Sequence, residues 1–554
     1  MMILAPFFVF IICILYQKLA YFTIYSACKT RFLCIECLRM KEKQIITGAP
    51  QVKLLAYTSG ATNLAVASAR TCYSPRLIEP NEITPDHIDR IGKGIYESGH
   101  HTPFTHPTFV FGLSNVSRQF VWSFLHNHPF YNSEQQSQRY VAMKEISVFV
   151  PPIEGENLKI YKEAIAKSYD AYAKIWGLMN TDNFRLMESI GKIKGQNEKQ
   201  IKTDSEKKSI ENARYVLPIA ANTALYHTVS GIVLKRYIRM MNTGDCPYET
   251  RLVVEKMVEE VKKVEPDFID KIPEEPMWPE VILENFGPES DPDEWVLEFD
   301  KSLDCHISKL ISFDKGAEAI VAQAVRDVLG LRKTQMSDLE AIEMVMNPAK
   351  NAYLLDTLNS WTLSPLMRVL NHANYTFKKR ISHTADSQNQ RHRMTPASKI
   401  MLSRTHTEKP DYIIPAVVAK NTEASEIYKN TMELLWDAKN KLIANGVNPD
   451  FAVYLLPNAV NVRMTESASV LHFMHKWRMR TCFNAQTEIY DASMDELMQV
   501  REVHPNLNKY IGPPCFTRNL GGIRTDLKEG PCPEGPRWCG ISVWLNFPKV
   551  KRPF

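Results

Sequence analysis

The feature that most restricts the fold of this 554-residue chain is an internal duplication. Two stretches crowded with polar side chains, residues 117–141 and 382–404, lie about 264 positions apart. Residues 217–218 and 456–457 are both Leu-Pro, 239 positions apart, and each pair precedes a similar apolar run. Self-similarity at one long period indicates two copies of a single domain. Two unrelated α/β domains with a chance match are the alternative.

Composition places the chain among ordinary globular proteins. It is 44% hydrophobic and 23% charged, and the formal net charge of +5 is too balanced to indicate a nucleic-acid partner. Small anions held by a few arginines remain compatible with that balance. Eleven cysteines are too few for a disulfide scaffold, so we expect reduced thiols and a cytoplasmic protein.

The N-terminal residues 1–45 form an apolar extension. Its apolar run, residues 1–16, ends at Gln17-Lys18, short of the roughly 20 residues that a transmembrane helix needs. No basic residue precedes the run, unlike in a secretory signal. The alternatives are a non-native extension from an upstream start, a membrane anchor or targeting segment at residues 3–25, and a buried helix.

The remaining chain is interpreted as an α+β protein. Each copy has a strand candidate before its polar stretch and helices after it, so we expect a small mixed sheet packed with helices in each domain. Acidic, proline-rich sequence marks a linker between the copies. The predicted limits are 50–270 for the first repeat, 271–305 for the linker, 306–500 for the second repeat and 501–554 for a Cys/Gly/Pro-rich tail.

Local patterns give more detailed expectations. Residues 109–113 are expected to form a strand, and a lysine-rich loop is expected over 191–208. Residues 317–346 and 466–480 are each expected to be helical.

The second polar stretch contains Arg391, His392 and Arg393 at a break in the chain. Guanidinium forks and an imidazole are the donors that a diphosphate or an anionic ring needs. A solvated surface is the alternative.

In the first stretch, Gln135, Ser137 and Arg139 alternate, so an extended backbone would turn all three to one side. An amide, a hydroxyl and a guanidinium together suit a pyrimidine edge and its phosphate, whereas a polar edge strand is the alternative.

These stretches resemble the signature Arg-His-Arg-x-x-Ser-x-Asn-Glu-x-Ser-x-Arg of the flavin-dependent thymidylate synthases. Other elements of that family have similar sequences in the same order, over residues 52–266 and more faintly over 317–500. They are LLAYTSG, ASARTCYS, HTPFTHPTFVF and ARYVLP in the first half, and LHFMHKWRMRTCFNAQTEI in the second.

Each copy keeps the part of the pattern that the other has lost. The first copy retains Ser137, Arg139 and Arg214, which match nucleotide-side residues of the family. It lacks the Arg-His-Arg triplet, and Met241 replaces an arginine of the C-terminal helix. The second copy retains the triplet and the matches Gln388, His475, Arg480 and Gln486. It has lost the nucleotide side, where Pro396, Lys399, Met401 and Val453 stand instead.

The resemblance implies one composite site in which reduced FAD, methylenetetrahydrofolate and NADPH convert dUMP to dTMP. Ser137 and Arg139 would be catalytic, and dUMP would also contact Gln135, Arg214 and Gln388. Arg391, His392, Arg393, His475 and Arg480 would hold FAD. Family sites lie between the subunits of a homotetramer, so we expect a homo-oligomer, for instance a dimer of fused pairs. A catalytically silent flavin- or nucleotide-binding relative, or an enzyme for another uracil substrate, is the alternative.

The tail has no counterpart in that family. Cys515, Cys532 and Cys539 lie in Gly/Pro-rich turns of the kind that hold structural zinc, with Cys482 or His504 as a fourth ligand. Unligated thiols and a disulfide are the alternatives.

Overall fold

The computed structural model of the protein describes residues 45–126, 129–289 and 291–553. Two four-stranded antiparallel sheets form, one from each half of the chain, in the orders β2-β3-β6-β4 and β7-β8-β10-β9. A two-stranded parallel pair, β1-β5, stands beside the first sheet. The strands are β1 Ile46–Thr47, β2 Gln51–Tyr57, β3 Thr108–Ser117, β4 Tyr131–Gln135, β5 Ser147–Val148, β6 Asn222–Ser230, β7 Ser308–Phe313, β8 Asn374–Ser382, β9 Ala397–Lys399 and β10 Asn461–Ser469.

The longer helices are distributed over both halves. They are α1 Ala61–Thr71, α2 Arg118–His126, α3 Gly155–Lys194, α4 Glu198–Ala213, α5 Gly231–Met240, α6 Pro247–Lys262, α7 Pro292–Ser302, α8 Ala317–Leu329, α9 Asp338–Met346, α10 His383–Asn389, α11 Thr422–Ala444, α12 Val470–Arg480, α13 Thr487–Val503 and α14 Pro514–Leu520. Shorter helices cover Pro85–His87, Lys93–Glu97, Pro266–Asp270, Leu402–Thr405, Ala416–Ala419, Pro449–Ala452, Pro505–Asn508 and Val543–Asn546. The predicted α+β fold with two small sheets packed against helices is confirmed.

The two halves meet through their Leu-Pro dipeptides. The amide of Ile219 donates to Leu456 O at 2.8 Å, and the amide of Asn458 donates to Leu217 O at 2.8 Å. Pro218 and Pro457 face each other in an isolated bridge. Because each half gives the same contacts that it receives, the halves are related like the subunits of a twofold-symmetric dimer.

Several local predictions need correction. The predicted loop 191–208 is mostly helical, because the Asn197 side chain caps α4 by accepting from the Gln200 amide at 3.0 Å. The helical run 317–346 is broken at Gly330, whose φ of 66° ends α8 in the left-handed region. The first four residues of 466–480 belong to β10 rather than to a helix.

The segment predicted as a linker contains α7, whose Asp300 accepts from Arg463 of the second sheet at 2.8 and 2.9 Å. The predicted membrane anchor at residues 3–25 lies outside the described residues. Within the described part of the chain, no helix has the length and apolar character to cross a membrane.

Candidate active site

The start of α10 is built on a buried carboxylate from α13. The Ser382 hydroxyl accepts from the Ala385 amide at 3.1 Å, capping the helix, and donates to Glu488 at 2.6 Å. Glu488 also accepts from Tyr215 of the first repeat at 2.5 Å. The same arrangement recurs at the equivalent positions of the other half, Ser117, Glu249 and Tyr454.

The amide of Gln486 collects groups from both repeats. Its Oε1 accepts from Arg214 Nη2 of the first repeat at 2.7 Å and from the Gln388 side chain of the second. Gln388 is buried, and its Oε1 has no hydrogen-bond partner among the residues that the structure describes. Burial lowers the pKa of Arg214 to about 10, so this guanidinium is charged at neutral pH but poorly solvated.

Arg139 lies in the turn after β4 and reaches the second repeat. It forms an ion pair with Glu211 of α4, and its Nη2 donates to Asn484 O at 2.8 Å. Burial opposes ionisation of Glu211, but Arg139 and Lys208 outweigh it and lower the pKa of Glu211 to about 2. Ser137 is half-buried and its hydroxyl accepts from the Arg139 amide at 3.2 Å.

Arg480, at the end of α12, joins this group from the second repeat. Its Nε donates to His392 Nε2 at 2.8 Å and its Nη2 donates to Gln388 O at 2.8 Å. Burial lowers the pKa of Arg480 to about 9 and holds the pKa of His392 well below its usual range. The ring centroids of His392 and His475 lie 5.5 Å apart. Within the described part of the chain, His392 Nδ1 has no hydrogen-bond partner. His392 is therefore a neutral acceptor toward Arg480.

The outer residues of the triplet point to the first repeat. Arg391 forms an ion pair with Glu134 of β4 at 2.6 Å, and Arg393 donates to Asn132 at 3.2 Å. Both arginines line a cavity of about 320 Å³ together with Gln135. Gln135 is the last residue of β4 and lines this cavity. Ser137 and Arg139 lie in the turn that follows the strand.

A buried charge cluster fixes the turn that carries the triplet. The Thr395 hydroxyl lies 3.0 Å from Glu466 and 2.9 Å from His392 O, and Asn389 donates to Glu466 at 3.2 Å. Glu466 is completely buried between Lys379 and Lys476. The second sheet thus holds the triplet against β4 of the first.

A larger cavity, of about 660 Å³, opens beside Arg139 and Arg480. Its remaining wall comes from α3, α4, the segment between α12 and α13 and the C-terminal tail, and includes the four thiols of Cys482, Cys515, Cys532 and Cys539. His504 instead bonds to Tyr375 OH at 2.9 Å.

The zinc site predicted for the tail stays a prediction. Among the residues that the structure describes, no three His, Cys, Asp or Glu side chains are placed to hold a metal ion. Burial raises the pKa of Cys482 to about 12 and that of Cys532 to about 11, so both thiols are protonated when no metal is bound. All four cysteines are free rather than disulfide-bonded.

Three contributors were missed by sequence reasoning. Glu211 and Asn484 hold Arg139, and the buried Arg118 donates to Gln135 Oε1 at 3.2 Å and to Gln136 O at 2.7 Å. The contacts of Asn484 with Arg139 and of Arg118 with Gln136 go through the backbone, which leaves no side-chain pattern. Glu211 lies three positions before Arg214, the one spacing that could have suggested it.

The chain is similar to known proteins over both of its repeats. A family model described as "Thymidylate synthase complementing protein" matches residues 53–267 and 309–506. The flavin-dependent thymidylate synthase of Clostridium tetani is 30% identical over 222 residues, 39% of this chain and 84% of that protein. That of Geobacter sulfurreducens is 30% identical over 190 residues, 34% of this chain and 74% of that protein.

A solved structure of a UMP/dUMP methylase from Streptomyces cacaoi covers 40% of this chain and 94% of its own. Its 18% identity and TM-score of 0.29 are too low to carry an argument. The family matches fall one on each repeat and together span more than half of the chain, as the resemblance predicted. The protein therefore belongs to the family of thymidylate synthase complementing proteins, the flavin-dependent thymidylate synthases, as a tandem duplication.

Proposed function

We propose that the chain methylates dUMP to dTMP with a bound flavin, at one composite site between its two repeats. The observation that carries this proposal is the meeting of Arg139 and Arg214 from the first repeat with Gln388, Arg480 and Gln486 from the second. Neither repeat alone contains this set.

The set suits an anionic pyrimidine nucleotide. Arg214 and Arg480 are charged and desolvated, so an arriving phosphate would gain charge-assisted hydrogen bonds. We assign the phosphate to Arg139 and Arg214, with Ser137 as a further donor. The unpartnered Oε1 of Gln388 is an acceptor for an imide N–H of the base. Preorganised donors of this kind polarise a uracil ring without a protein nucleophile.

The residues around the smaller cavity suit FAD. Arg391 and Arg393 provide guanidinium forks for phosphate oxygens. The buried side-chain amide of Gln390 has no hydrogen-bond partner among the described residues. We propose that Arg391, His392, Arg393, His475 and Arg480 hold this cofactor. When bound and reduced, the flavin supplies hydride to the reaction. Neutral His392 would orient Arg480 rather than carry charge itself.

Methylenetetrahydrofolate as carbon donor and NADPH as reductant complete the proposal. A homo-oligomer, such as a dimer of fused pairs, would give a tetramer-like set of repeats. Gln135 stands where the family has Glu and is bonded to Arg118, so it positions neighbours rather than transferring a proton.

The test is rescue of a thymidine-requiring bacterial strain by the full chain. We expect rescue. We expect Arg139→Ala to abolish it, because that change removes the proposed phosphate donor, and Arg393→Ala to reduce it, because that change removes one proposed cofactor donor. The matched controls Ser403→Ala and Arg368→Ala should rescue normally. If the unaltered chain binds dUMP but neither rescues nor oxidises reduced flavin, the chain is a silent relative and the proposal is wrong. Turnover of another uracil compound, without turnover of dUMP, would reassign the substrate.

A further inference from the structure

The larger cavity extends away from Arg139 along a row of cations. Arg139 and Lys208 share the carboxylate of Glu211, with Lys208 at 3.4 Å. Beyond them, Lys207 and Lys194 share Asp204 at 3.5 and 3.6 Å. Arg537 of the tail lines the same cavity, 3.8 Å from Glu534. The row therefore continues the nucleotide site rather than standing apart from it.

Charge on the cavity wall is strongly one-sided. The lining contains six cationic side chains and three carboxylates, so the formal excess is +3. The ion pairs of Lys194, Lys207 and Arg537 have N···O distances of 3.5–3.8 Å, longer than good hydrogen bonds. These weak pairs leave the three cations able to bind a more strongly charged anion.

Size and shape also exceed what a monophosphate needs. The cavity volume is about 660 Å³, in the middle of the range for sites that bury a whole small ligand. Apolar side chains of Met187, Ile190, Met479 and Trp538 form part of the wall. The site thus offers an apolar surface together with a line of cations that begins at Arg139.

We propose that this cavity binds a deoxyribonucleoside triphosphate, with the α-phosphate at Arg139 and the β- and γ-phosphates along Lys208, Lys207 and Lys194. A bound triphosphate then competes with dUMP, so the enzyme becomes sensitive to the nucleotide pool that it feeds. This inference rests on the proposed assignment of the dUMP phosphate to Arg139.

The experiment measures competition with dUMP on the full, FAD-loaded chain by calorimetry, with dTTP and dUTP as probes. We expect both triphosphates to displace dUMP, and added salt to weaken their binding more than that of dUMP. Lys207→Ala should weaken triphosphate binding at least ten times more than dUMP binding. Lys202→Ala, an exposed lysine on the same helix α4 outside the cavity, should change neither. Equal thermal midpoints would show that both variants fold.

The outcomes separate the two proposals. If dUMP itself does not bind, the proposed function fails. If dUMP binds but triphosphates do not displace it, or if Lys207→Ala weakens both ligands equally, only the present inference is overturned. Preferential binding of a pentaglutamyl folate that depends on Lys207, without triphosphate binding, would also overturn it and would assign the cavity to the folate tail.

Discussion

Two regions of the molecule occupy equivalent positions about the junction of the repeats. In the first, Arg139 donates to Asn484 O at 2.8 Å; in the second, Ser403 donates to Asp245 Oδ1 at 3.2 Å. Ser403 is the sequence equivalent of Arg139, 264 positions on, and Asp245 that of Asn484, 239 positions back. We name them the open region, around Arg139 and Asn484, and the closed region, around Ser403 and Asp245.

In the closed region, the binding groups that we propose for the open region are replaced while the fold is kept. Where the open region has Arg214, Arg480 and Gln486, the closed region has Val453, Met241 and Pro247, and the first two of these are buried. Buried Val453 and Met241 make apolar contacts and avoid the desolvation penalty of the arginines that they replace. The capping carboxylates Glu249 and Glu488 remain in both regions, so the shared architecture is separate from the binding groups.

The largest expected effect separates the two regions directly. Arg139→Ala removes the guanidinium that we assign to phosphate, and should lower kcat/KM for dUMP by roughly 100-fold or more. Ser403→Ala, the matched change in the closed region, should leave kcat/KM within about threefold. Steady-state kinetics with saturating flavin reductant measures both. Equal losses in the two variants would mean that both regions act.

A second prediction concerns pH and the closed region alone. Burial raises the pKa of Asp245 from near 4 to about 7 in the folded chain. The folded protein therefore holds a proton that the unfolded chain releases, and stability falls as pH rises between about 4 and 7. Between pH 5 and 8, the free energy of unfolding of Asp245→Asn should therefore decrease by about 2 kcal/mol less than that of the unaltered chain. Glu249, whose pKa burial also raises to about 7, leaves a residual slope.

Urea unfolding at several pH values measures this contribution. Asp437→Asn, an exposed position on α11, is the control and should unfold with the slope of the unaltered chain. A pH slope unchanged in Asp245→Asn would show that Asp245 is not buried as described.

The smallest effect is on the cofactor. Arg393→Ala removes two hydrogen bonds to the first repeat and one proposed phosphate donor, and should weaken FAD binding about tenfold. Its equivalent in the first copy is Pro129, which offers only its carbonyl to Arg393. Pro129→Ala keeps that carbonyl and should retain FAD. Fluorescence titration of the apoprotein with FAD compares them, and similar affinities would remove Arg393 from the cofactor site.

Much of the fold was predictable from sequence because it depends on repetition. The Leu-Pro dipeptides and polar stretches predicted two similar α+β domains, and the two sheets have the same strand order. Helix boundaries were harder, since caps such as Asn197 and breaks such as Gly330 override composition. The loop expected over 191–208 is helical for that reason.

The site was predictable only in part. Arg139, Arg214, Gln388 and Arg480 match a known pattern, and the structure brings them together. Contacts through main-chain atoms, such as Asn484 O, carry no side-chain signature. The zinc prediction for the tail was drawn from cysteines in Gly/Pro-rich turns, a pattern that does not specify how the thiols are placed relative to one another.

We propose one composite site where the duplication could provide two pseudo-equivalent ones. Its most direct test is the stoichiometry of dUMP binding to the FAD-loaded chain, measured by calorimetry with protein concentration fixed by amino-acid analysis. We expect one bound nucleotide per chain, and none in Arg139→Ala at the same concentrations. Two nucleotides per chain, or one that persists in Arg139→Ala and disappears in Ser403→Ala, would contradict it.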